Sequence, residues 1–125
     1  MITQQIPTNE WAGFFENFSR KHEGALVSLQ VISLDIGAQV EQRELALQGL
    51  SHELDGSARS TVIIMMGSRP DQHVTHSITR PTEVNVEKTD EGTDIAISIK
   101  DADGNTALLQ LLVAIQPAVA DAVLP

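Results

Sequence analysis

Two histidines three residues apart stand in the segment DQHVTH, where His73 and His76 follow Asp71. Side chains of these types hold divalent metals or move protons when both rings reach one point. The segment HVTHSIT alternates apolar and polar residues, which predicts a strand, and a strand sends positions three apart to opposite faces. A metal shared by the two rings is therefore not expected, and no metal or other cofactor is predicted for the chain. His76 shares a face with Val74 and Ile78 and is the candidate for proton chemistry if a cavity opens beneath it. The segment DADGNT alternates Asp101, Asp103 and Asn105 as a calcium loop begins. Such a loop needs glycine at its sixth position and glutamate at its twelfth, where this chain has its glycine at the fourth, Gly104, and Leu112 at the twelfth. Asp103-Gly104 reads instead as a hairpin turn. TDEGTD, with Asp90, Glu91 and Asp94, reads as a solvated acidic turn. No nucleophile elbow, phosphate-binding loop or dinucleotide fingerprint occurs, so no catalytic residue is assigned and the reading leans away from an enzyme.

Every aromatic side chain lies in WAGFFENFSR: Trp11, Phe14, Phe15 and Phe18. Trp11, Phe15, Phe18 and His22 follow one another at helical spacing, which places them on one face. That face is read as the plug of a core, since a helix without Leu or Ile there must bury its aromatics. The strands carry no aromatic platform, which argues against a reader of single-stranded nucleic acid. A rival reading is a small-molecule binding module with its pocket between helix and sheet, lined by Trp11, Phe15, Met65 and His76.

The elements that must position these residues are one helix followed by strands. Thr8 is a candidate N-cap, Arg20, Lys21 and His22 occupy the last turn, and Gly24 suits the position just past the end. From Ala25 the period changes to two. ALVSLQVIS, VEQRELALQG, TVIIMMG, HVTHSIT, TEVNVEK, DIAISIK and TALLQLLV read as short strands. HELDGSARS reads as a loop with a tight turn at Asp55-Gly56. TVIIMMG is apolar on both faces and is placed centrally. The fold class expected is α+β: an N-terminal helix packed on a twisted antiparallel β-meander of six or seven strands, able to curl into a partly closed barrel.

A chain of 125 residues with 42% hydrophobic and 20% charged residues is expected to form a single domain over 1–125. It carries 17 acidic against 8 basic residues, net charge -9, with the basic residues scattered. Nucleic acid and anionic membrane are poor partners for such a surface. There are no cysteines. The start, MITQQIPTNE, lacks the basic and apolar regions of a secretory signal, so a cytoplasmic location is expected.

Several blocks in order resemble a family of small bacterial proteins known as a domain of unknown function. They are W-x-x-F-F-x-x-F-S-R-x-H-E-G from Trp11 to Gly24, D-x-G-A-Q-V-E from Asp35 to Glu41 and L-x-L-x-G-L from Leu45 to Leu50. H-x-T-H at His73 to His76, T-D-E-G at Thr89 to Gly92 and D-G-x-T-x-L-L from Asp103 to Leu109 complete the set. The likeness spans residues 6–112 and leaves an apolar tail, 113–125. It implies a bacterial protein with a link to stress physiology and brings no catalytic residue. The function expected is a non-enzymatic interaction domain, a homo-oligomer associating through a sheet edge or through the tail. Cutting the chain after Val113 is expected to leave a folded monomer if the tail carries the association.

Overall fold

The computed structural model describes residues 1–35, 37–54 and 60–112. The Asp55-Gly56 turn and the apolar tail lie outside these residues. Helix α1 runs Trp11–His22 and eight strands surround it in sequence: β1 Ile2–Ile6, β2 Leu26–Ser33, β3 Gly37–Leu54, β4 Ser60–Met66, β5 Val74–Thr79, β6 Pro81–Lys88, β7 Asp94–Asp101 and β8 Thr106–Leu111. All pairings are antiparallel, and the order across the sheet is β1-β6-β7-β8-β2-β3-β4-β5. The fold is α+β, as expected. The sheet curls without closing: β4 approaches β6 and β5 approaches β7, while β1 and β5 remain its two edges.

The expected single meander is two. β2 to β5 form one, β6 to β8 the other, and β2 pairs with β8 to join them. The eighth strand is β1, ITQQI, which has only two apolar residues. Ile2, Gln4 and Ile6 lie opposite Lys88, Val86 and Val84 of β6, on the same face of the sheet, and of the three Ile6 is buried while Ile2 and Gln4 are exposed. Pro7 ends the strand, having no N–H to continue a ladder. Thr8 then opens a short 3-10 turn, Thr8–Glu10, and makes no side-chain cap; the α-helix itself begins at Trp11. Gly24, at φ +86, ends α1 in the left-handed conformation that glycine adopts without strain.

β3 is far longer than its apolar pattern suggested, and His52, Glu53 and Leu54 belong to it rather than to a loop. Its first part pairs with β2 and its last part, from Leu47, with β4. The changeover follows a register shift against β2 at Glu44, which holds φ 52. Such bulges bend a strand and let it serve two sheet segments. Past that bend, helix α1 lies along the flank of β3 that β2 has left. The Ser19 hydroxyl accepts from the Leu50 N–H at 2.8 Å and donates to the Leu50 carbonyl at 3.2 Å, bonds that no strand supplies there. Gly49 permits this approach, since a Cβ there would stand 3.3 Å from Ser19 Oγ.

The core is the inner face of the curl, with the helix in it. Phe15, Leu29, Leu47, Ile64, Met66, Ile97, Ile99 and Leu109 are fully buried, and Trp11 and Phe18 are nearly so beside them. Burial of each such side chain stabilises the fold by about 1.5–3 kcal/mol before entropy is subtracted. β4 sits one strand from the edge; Val62, Ile64 and Met66 are buried while Ile63 and Met65 are half-covered. In β7, Ile97 and Ile99 are buried as the alternation predicts, but Ile95 is only half-buried. The register explains it: Glu87 lies opposite Ala96 and Lys88 opposite Asp94, leaving Ile95 as the extra residue of a bulge.

Candidate functional site

That bulge has a chemical consequence. It swaps the faces at the head of β7 and turns Asp94 inward, where it is 8% exposed. Asp94 was expected in a solvated turn; it is the buried charge of the core's rim among the described residues. A histidine and two lysines surround it. His22 Nε2 lies 2.8 Å from its Oδ2, Lys21 Nζ 3.5 Å from Oδ2 and Lys88 Nζ 4.0 Å from Oδ1. A buried carboxylate needs such partners, because desolvation without them is expensive. Phe18 lies across the His22 ring, centroids 4.5 Å apart. An aspartate-held imidazole can be an oriented base. Among the described residues, however, His22 makes no hydrogen bond to a hydroxyl that it could activate. The pair ties the C-terminal turn of α1 to β7.

The four residues proposed for a pocket between helix and sheet are not brought together. Trp11 and Phe15 are buried in the core, and Trp11 Nε1 donates to the Ile6 carbonyl at 2.9 Å. Met65 and His76 lie on opposite faces of the β4–β5 pair: His76 is opposite Ile64, and Met65 opposite Thr75. Met65 lines a cleft of about 320 Å3 with Ala12, Glu16, Gly49 and His52. His76 lines one of about 220 Å3 at the far end, with Ile78, Ile99, Asp101, Asp103 and Asn105. A cavity does open beside His76, but the acids facing it are engaged. Asp101 Oδ1 accepts from the N–H groups of Asp103 and Asn105, and Asp103 pairs with Arg80 at 2.7 Å. The DADGNT segment is the β7–β8 hairpin turn, with Gly104 at φ +90. His73 is exposed and precedes β5. Among the described residues no three His, Asp or Glu side chains are grouped to hold a metal.

A cleft larger than either of these lies elsewhere, between α1 and the β1–β6 edge. It measures about 450 Å3 and is walled by Gln4, Ile6, Asn9, Glu10, Phe14 and Lys88 among others. A smaller cleft of about 130 Å3 continues it through Phe14, Asn17 and Lys88 to Lys21 and Asp94. Phe14, on the flank of the aromatic face, is thus the ring that reaches a cleft. Sequence spacing alone offered no sign of this site, because β1 and the Ile95 bulge build it.

The family model described as "Family of unknown function (DUF5335)" matches residues 2–117. The chain belongs to the DUF5335 family. An uncharacterized protein of Aquifex aeolicus (strain VF5) is 30% identical over 115 residues, covering 92% of this chain and 96% of that protein. No solved structure matches the chain. The resemblance to a family of unknown function is borne out. No helix of this DUF5335 protein is long and apolar enough to cross a membrane among the described residues.

One titratable group of this DUF5335 domain stands apart. His52 sets its ring edge-on to Trp11 at 5.2 Å, and its Nε2 is buried without a hydrogen-bond partner among the described residues. Burial pushes its pKa below the ordinary 6.5. The unfolded chain therefore binds the His52 proton more readily than the fold does, so stability rises with pH across this window. Acidification from roughly pH 7.5 to roughly pH 5.5 is expected to lower stability. His52→Leu is expected to flatten that dependence, because the variant has no proton to take up. Thermal unfolding of both proteins across the range checks it; parallel curves would refute the assignment.

Proposed function

We propose that this protein works by association rather than catalysis, with strand β1 as the docking edge and a second copy of the chain as its occupant. Among the described residues β1 pairs with β6 on one flank only, and four of its five residues are exposed. Proteins guard such edges with lysine, proline or bulges, since open edges invite pairing. In a chain with 25 charged residues (17 acidic and 8 basic), ITQQI has none. The observation that carries the reading is its self-complementarity. An antiparallel pair of two β1 strands centred on Gln4 sets Ile2 against Ile6 of the other copy, Thr3 against Gln5, and Gln4 against Gln4. Apolar then meets apolar, amide meets amide, and no like charges oppose. Met1 and Ile2, 76% and 47% exposed, would gain cover at the ends of the joint.

The other edge suits the role less well. β5 also lacks Asp, Glu, Lys and Arg, but its end is folded onto the β7–β8 turn, where the Ala102 N–H donates to the Arg80 carbonyl. A cytoplasmic location is part of the same reading. The tail is a further candidate for contact between copies, which truncation after Val113 tests.

Sedimentation across a range of concentrations tests the edge. The wild type is expected to dimerise. The double substitution Thr3→Lys with Gln5→Lys puts two exposed outer-face lysines beside Glu87 and Asn85 of β6, so the fold is retained. Across the two-fold it opposes lysine to lysine twice and is expected to weaken the dimer by about ten-fold or more. A wild type that stays monomeric, or a double variant that associates equally, contradicts the proposal.

A further inference from the structure

The cleft between α1 and the β1–β6 edge has opposite charges at its two ends. Glu10 follows Ile6 and Pro7 closely in sequence, so it stands at the Ile6 end of β1. Lys88 lies opposite Ile2, at the other end of that strand. It shares the smaller continuation with Asn17 and Lys21. From Glu10 to Asn17 the chain advances roughly 10 Å along the helix axis.

These charges are unequally occupied. Asp94 is held by His22 at 2.8 Å, whereas Lys88 stands 4.0 Å off it with its side chain 31% exposed. The Glu10 side chain has no hydrogen bond or ion pair among the described residues. Between the ends, Phe14 offers an apolar wall, and Gln4, Asn9 and Asn17 bring three carboxamides to the same cleft. Asn17 Oδ1 is taken by Arg20 at 3.1 Å, which leaves its amide nitrogen as a donor. Carboxamides pair with peptide groups through one donor and one acceptor each.

We infer that this cleft binds a short peptide with free termini, about three residues long. Its ammonium group meets Glu10 and its carboxylate meets Lys88, with Lys21 beyond. Its peptide groups face the carboxamides. Three extended residues span about 10 Å, the same length as the helix stretch from Glu10 to Asn17 that walls the cleft. The volume of about 450 Å3 lies within the range of small-ligand sites. This site needs no second copy of the chain, and its test reads peptide binding rather than association, although Gln4 and Ile6 belong both to the cleft and to the β1 strand.

Triglycine is the probe, titrated into the isotope-labelled full chain and followed by amide NMR shifts. Saturable shifts are expected at residues 9–17 and around Lys88. The same peptide acetylated at one end and amidated at the other is expected to bind about ten-fold more weakly or less, since it lacks both charges. Lys88→Met and Glu10→Gln are each expected to weaken triglycine by about ten-fold while the remaining spectrum stays folded. Shifts that never saturate would overturn the inference. So would equal binding of the blocked peptide, which requires no variant and cannot be blamed on misfolding.

Discussion

Phe15→Ala is expected to lower stability by about 3–5 kcal/mol, the usual cost of truncating a buried aromatic ring. Phe15 is the largest of the fully buried side chains and has no contact with solvent. It sits between the neighbouring Phe14 ring, centroids 5.7 Å apart, and the inner face of the sheet. The chain's other rings lie on the same helix, so no aromatic side chain of the strands can relax into the void. With domains of this size stable by about 5–15 kcal/mol, such a loss removes a large share of the total. Phe14→Ala should cost far less, because that ring is half-buried and walls a cleft. Denaturant unfolding of the two variants checks the contrast. Equal losses would mean that Phe14 is as much a part of the plug as Phe15.

Gly67→Ala is expected to cost about 3 kcal/mol, several times what alanine for glycine costs elsewhere. Gly67 follows β4 at φ +98, a conformation that alanine enters only with strain. A Cβ at this position would also lie well inside contact distance of the Gln72 carbonyl, which is backbone and cannot swing aside. The Gly67 N–H donates to the Ala46 carbonyl at 2.7 Å, so the turn is anchored to β3 just before that strand changes partners. Gly13→Ala is the control, since nothing lies within 4 Å of a Cβ there and alanine favours helices. Thermal unfolding should separate the two widely. Similar melting temperatures would show that the β4–β5 turn can yield.

Much of this fold is legible because local periods survive into the tertiary structure. The helix follows from four rings at helical spacing, and Val27, Leu29, Val84, Val86, Ile97 and Ile99 are buried as their alternation requires. What escapes is whatever departs from period. ITQQI has too few apolar residues to announce a strand, yet β6 recruits it by pairing. β3 runs past its apolar stretch because β4 pairs with it as far as Leu54. The bulge at Ile95 inverts the face of Asp94, and its partner His22 is 72 residues away. A turn rich in Asp and Glu looks solvated until that long-range contact is seen. The candidate pocket fails to assemble for a related reason. Helix and strand patterns predict which way side chains face, but Met65 and His76 face opposite sides of one sheet.

The association through β1 is tested most directly by a disulfide. The chain has no cysteine, so any bridge formed must come from a residue introduced for the purpose. In an antiparallel pair centred on Gln4, the two Gln4 Cα atoms face each other about 4.5–5.5 Å apart, within reach of a disulfide. Residues at position 3 of the two copies sit diagonally, about 7–8 Å apart, too far for an unstrained bridge. Gln4→Cys is therefore expected to give a covalent dimer under mild oxidation, and Thr3→Cys is expected to remain a monomer on a non-reducing gel. If Thr3→Cys cross-links as well as Gln4→Cys, or if neither does while the wild type sediments as a monomer, β1 is not the joint.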